Sequence, residues 1–206
     1  SDNTTNNDFA MMRLLPSGTL DTSFHTDGKN REDLGGEDEA NSIMMPEDGY
    51  LLMAGFAGSD FGIARYNADG SIAESGTLDL SFGTNGSILL PHATVAALYA
   101  TTVQTNGLLL SVGYGVGPDS ADGDFLVWRV QPDGNVDTSF STDGLVGIAL
   151  STGTDLPMAI SAATDGTILV GGHSDSGGLT QDLVILRLTT SGAFDTTFHT
   201  DGIGLF

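Results

Sequence analysis

The sequence predicts an all-β, propeller-like repeat array of about four blades, and three observations carry that prediction. A long piece is written four times in 206 residues: an Asp-led apolar strand ending in Arg, a Gly turn, a Leu/Val/Phe-Asp-x-Ser/Thr-Phe segment, then Thr-Asp/Asn-Gly. It starts at Asp8, Asp60, Asp124 and Asp182. Between copies lies a short piece, two apolar runs around an Asp-Gly or Asn-Gly turn, at 40–55, 95–113 and 158–172. No stretch has helical periodicity, Gly reaches 29 residues, and a repeat period of roughly 50–60 residues signals stacked supersecondary units.

In chain order, residues 1–7 form a polar arm and residues 8–206 a single repeat domain. Each long piece opens with a strand whose alternate residues fall on opposite faces. Phe9, Met11 and Arg13 share one face, as do Phe61, Ile63 and Arg65, then Phe125, Val127 and Arg129, then Leu183, Ile185 and Arg187. The other face is apolar too, for example Leu126, Trp128 and Val130. Strands apolar on both sides are covered on both sides, as in stacked blades. Each short piece reads as a hairpin, because Asp-Gly and Asn-Gly between apolar runs are the strongest local hairpin signal. A short piece followed by a long piece makes one four-stranded blade, with the hairpin supplying the inner strands. The second long piece carries an insertion at 72–75, which a surface turn tolerates.

Six basic residues against 27 acidic ones give a net charge of −21, which repels nucleic-acid phosphates and anionic lipids alike. Neither is an expected partner. The uncharged stretch 86–118 is broken by Gly and polar residues, so no membrane insertion is expected. With no cysteine there is no disulfide and no thiolate chemistry. A first residue of Ser, a single lysine (Lys29) and a wealth of Asp, Thr, Ser and Gly predict a processed, secreted protein, extracellular or at the cell surface.

Segments such as Asp165-Gly-Thr-Ile-Leu-Val-Gly-Gly172, followed by segments such as Asp8-Phe-Ala-Met-Met-Arg-Leu and Leu20-Asp-Thr-Ser-Phe24, resemble delta-60 repeats. That family is a β-propeller-like repeat of secreted and surface bacterial proteins with no general activity. The resemblance spans nearly the whole chain and implies fold rather than function.

Arg13, Arg65, Arg129 and Arg187 occupy one repeat position on an otherwise apolar face, and Asp21, Asp79, Asp137 and Asp195 recur beside them in sequence. A buried guanidinium needs a carboxylate, so structural ion pairs within each blade are expected. A ligand site repeated in every blade is the weaker alternative. Arg31, outside the repeat, is expected to contribute almost nothing. His25 and His199 follow the repeated Phe where Gly83 and Ser141 stand in the other copies, and read as surface substitutions. No histidine pair has metal-ligand spacing and no Gly-x-Ser-x-Gly elbow is present, so no enzyme and no cofactor are expected. Two oxygen-rich acidic stretches, 32–39 and 119–124, have some calcium character, with Asp119, Asp122 and Asp124 as weak calcium ligands. Asn3 and Asn85 fit the N-glycosylation pattern.

Three short pieces and four long ones make three complete blades and one half unit at residues 8–31. Its open strand edges predict head-to-tail self-assembly into a filament by strand or half-blade complementation. The arm 1–7 or the tail 203–206 would then lie against the next subunit. Closure of the ring by the half unit within its own chain is the alternative at the level of assembly. A lectin-like or other glycan- or ligand-binding propeller is the alternative at the level of function.

Overall fold

The computed structural model describes residues 6–46, 49–68, 75–90, 97–116, 123–175 and 181–206. Among the described residues, fourteen strands fall into one two-stranded and three four-stranded antiparallel sheets. The half-blade pairs β1 (Phe9–Met12) with β2 (Lys29–Glu32). The first blade holds β3 (Asp38–Met44), β4 (Tyr50–Ala57), β5 (Asp60–Asn67) and β6 (Ser87–Leu90). The second holds β7 (Ala97–Val103), β8 (Leu109–Val116), β9 (Gly123–Val130) and β10 (Leu145–Ile148). The third holds β11 (Asp155–Ala162), β12 (Ile168–Ser174), β13 (Asp182–Leu188) and β14 (Ile203–Leu205). In each four-stranded sheet the strands lie in chain order, as a meander. The first strands of successive blades, β3, β7 and β11, pack beside one another and form the inner wall.

The alternation along the third strand of each unit decides how blades stack. The arginine-bearing side, here the forward face, packs onto the opposite, rear face of the next unit. Phe9 and Met11 meet Met53, Ala64 and Tyr66 of the first blade. Phe61 and Ile63 meet Leu126, Trp128 and Val130 of the second. Phe125 and Val127 meet Val184, Leu186 and Leu188 of the third. The core is thus three serial slabs rather than one centre, as in repeat proteins whose units contact only their neighbours.

A bulge recurs in the first strand of every blade, at Ala40/Ser42, Leu98/Ala100 and Pro157/Ala159. Opposite it stands a glycine in the second strand: Gly55, Gly113 or Gly172. A Cβ there would lie 1.8, 2.4 or 2.2 Å from the carbonyl oxygen of Glu39, Ala97 or Leu156. The bulged strand bends its backbone into the space a side chain would need.

The tail forms β14, hydrogen-bonded to β13 of its own blade. Its pairing with the meander satisfies the backbone locally. Of the arm, Asn6 and Asn7 are tied to the loop at 36–38: Asn6 donates to the Gly36 carbonyl and the Asn7 carbonyl accepts from the Asp38 N–H. Residues 1–5 lie outside the described ones.

Candidate functional site: the arginine ladder and the two end faces

In every unit the arginine Nε donates to the aspartate of the same unit: Arg13–Asp21 at 2.8 Å, Arg65–Asp79 at 2.8 Å, Arg129–Asp137 at 2.7 Å and Arg187–Asp195 at 2.7 Å. The second carboxylate oxygen accepts the backbone N–H and hydroxyl of the residue two positions on, Ser23, Ser81, Ser139 or Thr197. That hydroxyl also accepts from the arginine Nη2. The guanidinium lies over the repeated phenylalanine, with ring centroids of Phe24, Phe82, Phe140 and Phe198 at 4.8, 4.8, 4.6 and 5.1 Å. The Asp-x-Ser/Thr-Phe motif therefore exists to hold one arginine, through a fork, a hydroxyl and a ring.

The remaining nitrogen crosses to the next blade. Nη1 of Arg13, Arg65 and Arg129 donates to the turn carbonyls of Ala68, Pro132 and Thr190. A second donor runs in parallel from the residue after the phenylalanine. The N–H groups of His25, Gly83 and Ser141 reach the carbonyls of Ser75, Asp133 and Ser191 at 2.7, 2.8 and 2.8 Å. His25, Gly83, Ser141 and His199 all have positive φ, 51–56°, so these positions are left-handed turn corners as well as surface positions, His25 half-buried and the other three exposed. A Gly at one of the four was the signal.

The ladder is incomplete at its ends. The Arg129 side chain is buried and that of Arg65 nearly so, at 12% exposed, but Arg13 and Arg187 in the two terminal units are 34% and 29% exposed, against the expectation that all four are buried. Only Arg65 and Arg129 are flanked by full blades on both sides. Phe24, Phe82 and Phe140 are buried, whereas Phe198 is half-buried. On the forward face of the third blade Leu183 and Ile185 are exposed, where Phe61, Ile63, Phe125 and Val127 are at 0%. On the rear face of the half-blade Met12 and Leu14 are exposed, where Ala64, Tyr66, Leu186 and Leu188 are at 0%. A groove of about 670 Å³ runs along this rear face past Ala10, Met12, Lys29 and Arg31.

The paired aspartates have carboxyls held below their ordinary value. At Asp21 and Asp195 the hydroxyls of Ser23 and Thr197 are the main cause, with the arginines adding. At Asp79 and Asp137 burial works upward and is outweighed by the bonds from Ser81 or Ser139 and the guanidinium. A depressed folded-state pKa gives stability that is present above the unfolded value of about 3.9 and is lost as pH falls below it. Denaturant midpoints should therefore fall steeply from about pH 4 downward, and Asp137→Asn should flatten that slope while lowering stability at pH 7. An acid limb unchanged by Asp137→Asn would place the linkage elsewhere.

Of the weak calcium candidates, Asp119 and Asp122 lie outside the described residues. Asp124 is a buried strand residue of β9, paired across the sheet with Gly115, rather than part of an exposed calcium loop. The carboxylates that the fold does gather are Asp8, Asp33 and Asp38, and Arg31, expected to be idle, pairs with Asp8. Asp33 and Asp38 belong to the acidic stretch 32–39 that the sequence singles out for calcium character, whereas Asp8, far from them along the chain, was missed. Asn85 is exposed at a positive-φ turn, and Asn3 lies outside the described residues. Trp128, the only tryptophan, is buried between blades, not displayed as a sugar platform.

A search of curated proteins finds no match. A family model described as a domain of unknown function (DUF5122) β-propeller matches residues 1–24, 47–72, 104–140 and 163–198. Those segments cover more than half of the chain and coincide with the repeated long and short pieces, the delta-60-like repeat. With three meandering blades, a half-blade and a shared arginine ladder, this chain belongs to the DUF5122 β-propeller family.

Proposed function

We propose that this chain is a non-enzymatic, extracellular structural protein whose copies stack head to tail, the forward face of the third blade of one seating on the rear face of the half-blade of the next. The observation that carries this reading is the repeat register of partners at the two ends. Three rungs of the ladder end on a turn: Ala68 with Ser75, Pro132 with Asp133, and Thr190 with Ser191. The matching turn of the half-blade is Pro16-Ser17-Gly18, and the carbonyls of Pro16 and Ser17 accept no hydrogen bond among the described residues. The matching donors, Arg187 Nη1 and the His199 N–H, have no acceptor among the described residues either.

The turn glycines agree. A Cβ on Gly76, Gly134 or Gly192 would press on Phe24, Gly83 or Phe140 of the preceding unit, whereas Gly18 has open space around it. Phe198 of a preceding copy is the group that would fill that space. The apolar faces match in kind, Leu183 and Ile185 against Met12 and Leu14, and a head-to-tail contact whose rotation does not close a ring propagates into a fibre. The β1 edge away from β2 has no strand partner among the described residues, which leaves room for strand addition at the same joint.

Each copy carries −21 charges, so assembly should strengthen with salt as the Debye length shortens to about 8 Å at 0.15 M. Negative-stain electron microscopy and sedimentation velocity of the purified chain test the reading. Leu183→Asp and Met12→Asp should each abolish fibres while shifting stability by no more than about 0.5 kcal/mol, because both residues are exposed in the single copy. A full-length chain that stays monomeric at high concentration and salt sinks the proposal. So do fibres that form equally well from both variants.

A further inference from the structure

Three carboxylates meet where the segment entering β1 crosses the loop between β2 and β3. One oxygen from each of Asp8, Asp33 and Asp38 lies within 4.8 Å of the others. Two ligands of one calcium, each about 2.4 Å away, can be at most that far apart. Asp38 is 1% exposed and the Asp8 side chain 4%. Asp38 Oδ2 accepts the Leu34 N–H and Asp8 Oδ2 pairs with Arg31. The other oxygen of each, Oδ1, is buried with no hydrogen-bond partner. The Asn6 side-chain oxygen, whose amide reaches Gly36 in the same loop, is also buried and unpartnered. Buried carboxylate oxygens without donors are costly and rare.

The third blade supplies an internal control. Asp155 opens β11 as Asp38 opens β3, and pairs across the sheet with Ser174 where Asp38 pairs with Ala57. Asp155 Oδ2 accepts from the Leu150 and Ser151 N–H groups. Its Oδ1 accepts two hydroxyls, Ser151 at 2.9 Å and Ser174 at 2.5 Å. In the first blade both hydroxyls are gone: Ala57 replaces Ser174, and Gly35 follows Leu34 where Ser151 follows Leu150. Asp33 stands there instead, where the third blade has Ala149, and it lies beside Asp8, which keeps the repeat position that Asp124 holds ahead of the third blade. The first blade has lost two neutral donors and gained a further acceptor, and acceptors facing one another call for a cation between them. Three carboxylates against the Arg31 guanidinium leave two negative charges to be matched. The ligands are all oxygen, the preference of calcium rather than of zinc.

We propose that Asp8, Asp33 and Asp38 bind one calcium ion, which clips the half-blade to the first blade. The site is independent of whether copies stack. Isothermal titration of calcium chloride into the full chain stripped with chelator should show a site lost in Asp33→Asn. Asp33 is exposed, so that variant keeps its fold. Calcium about a hundredfold above its dissociation constant should raise the melting temperature by roughly 5–10 °C, and magnesium by less. Ala57→Ser restores the hydroxyl that the third blade uses; it should raise the melting temperature in chelator and weaken calcium at least tenfold. No heat and no melting shift with calcium overturns the proposal. So does calcium binding of undiminished affinity and stoichiometry in Asp33→Asn, which would put the ion elsewhere in the chain.

Discussion

Replacing Arg129 with alanine is expected to destabilise the fold by about 3–5 kcal/mol, the usual cost of removing one partner of a buried ion pair. The Arg129 and Asp137 side chains are 7% and 8% exposed, so the Asp137 carboxylate would stay desolvated with only Ser139 as donor. The Thr190 carbonyl would lose its donor and Phe140 its guanidinium at the same time. For a domain of this size the melting temperature should fall by roughly 6–20 °C. Arg187→Ala, with a side chain 29% exposed and no bond to a following blade, should cost about 1 kcal/mol or less in the single copy. Arg129→Lys should recover little, since one ammonium cannot serve a carboxylate, a hydroxyl and a carbonyl in three fixed directions. Equal small losses for Arg129→Ala and Arg187→Ala in urea titrations would show that burial does not set the worth of this position.

Gly113→Ala should be nearly as damaging, at about 3 kcal/mol, the upper end for overpacking. The added methyl would stand 2.4 Å from the Ala97 carbonyl oxygen, 2.9 Å from the Leu98 Cα and 3.0 Å from the Phe61 ring. Two of those three are backbone, fixed by the bulge, and Phe61 is locked in the slab between the first and second blades. The strain therefore falls on the sheet and on the blade interface together. Gly147→Ala, where the nearest atom is 3.8 Å away, is the matched control and should change little. A Gly113→Ala chain that melts with the wild type would mean that the bulge relaxes freely.

The blades were legible because strand alternation and Asp-Gly turns are local signals, repeated often enough to correct one another. The Arg–Asp partnership could be inferred from Arg129 and Asp137 because both recur in all four long pieces, the arginine on a strand face with no other charge. What recurrence could not reveal is any contact made once. Asp8, Asp33, Asp38 and Arg31 meet only where the half-blade folds against the first blade, and the residues matching Arg31 and Asp33 are Leu89 and Pro91 in the next unit and Gly147 and Ala149 in the one after. The bonds between blades were missed for a different reason. His25, Gly83 and Ser141 act through backbone N–H groups, which leave no mark on residue identity beyond tolerance of a left-handed corner. Exposure at the ends was equally invisible, since Arg13 and Arg187 are written in the same words as Arg65 and Arg129.

The turn of the first blade departs from the other two in one respect. In the second and third blades the two carbonyls that receive the ladder belong to consecutive residues, Pro132 with Asp133 and Thr190 with Ser191. In the first they belong to Ala68 and Ser75, with the Ser75 hydroxyl bonded back to the Ala68 carbonyl. The chain departs between two adjacent anchor points and returns with both still in place. Every turn of the array is therefore a graft point, at which foreign sequence can be spliced without altering the spacing of the blades. In a stacked fibre, a peptide spliced between Thr190 and Ser191 would be displayed once per subunit at a fixed pitch.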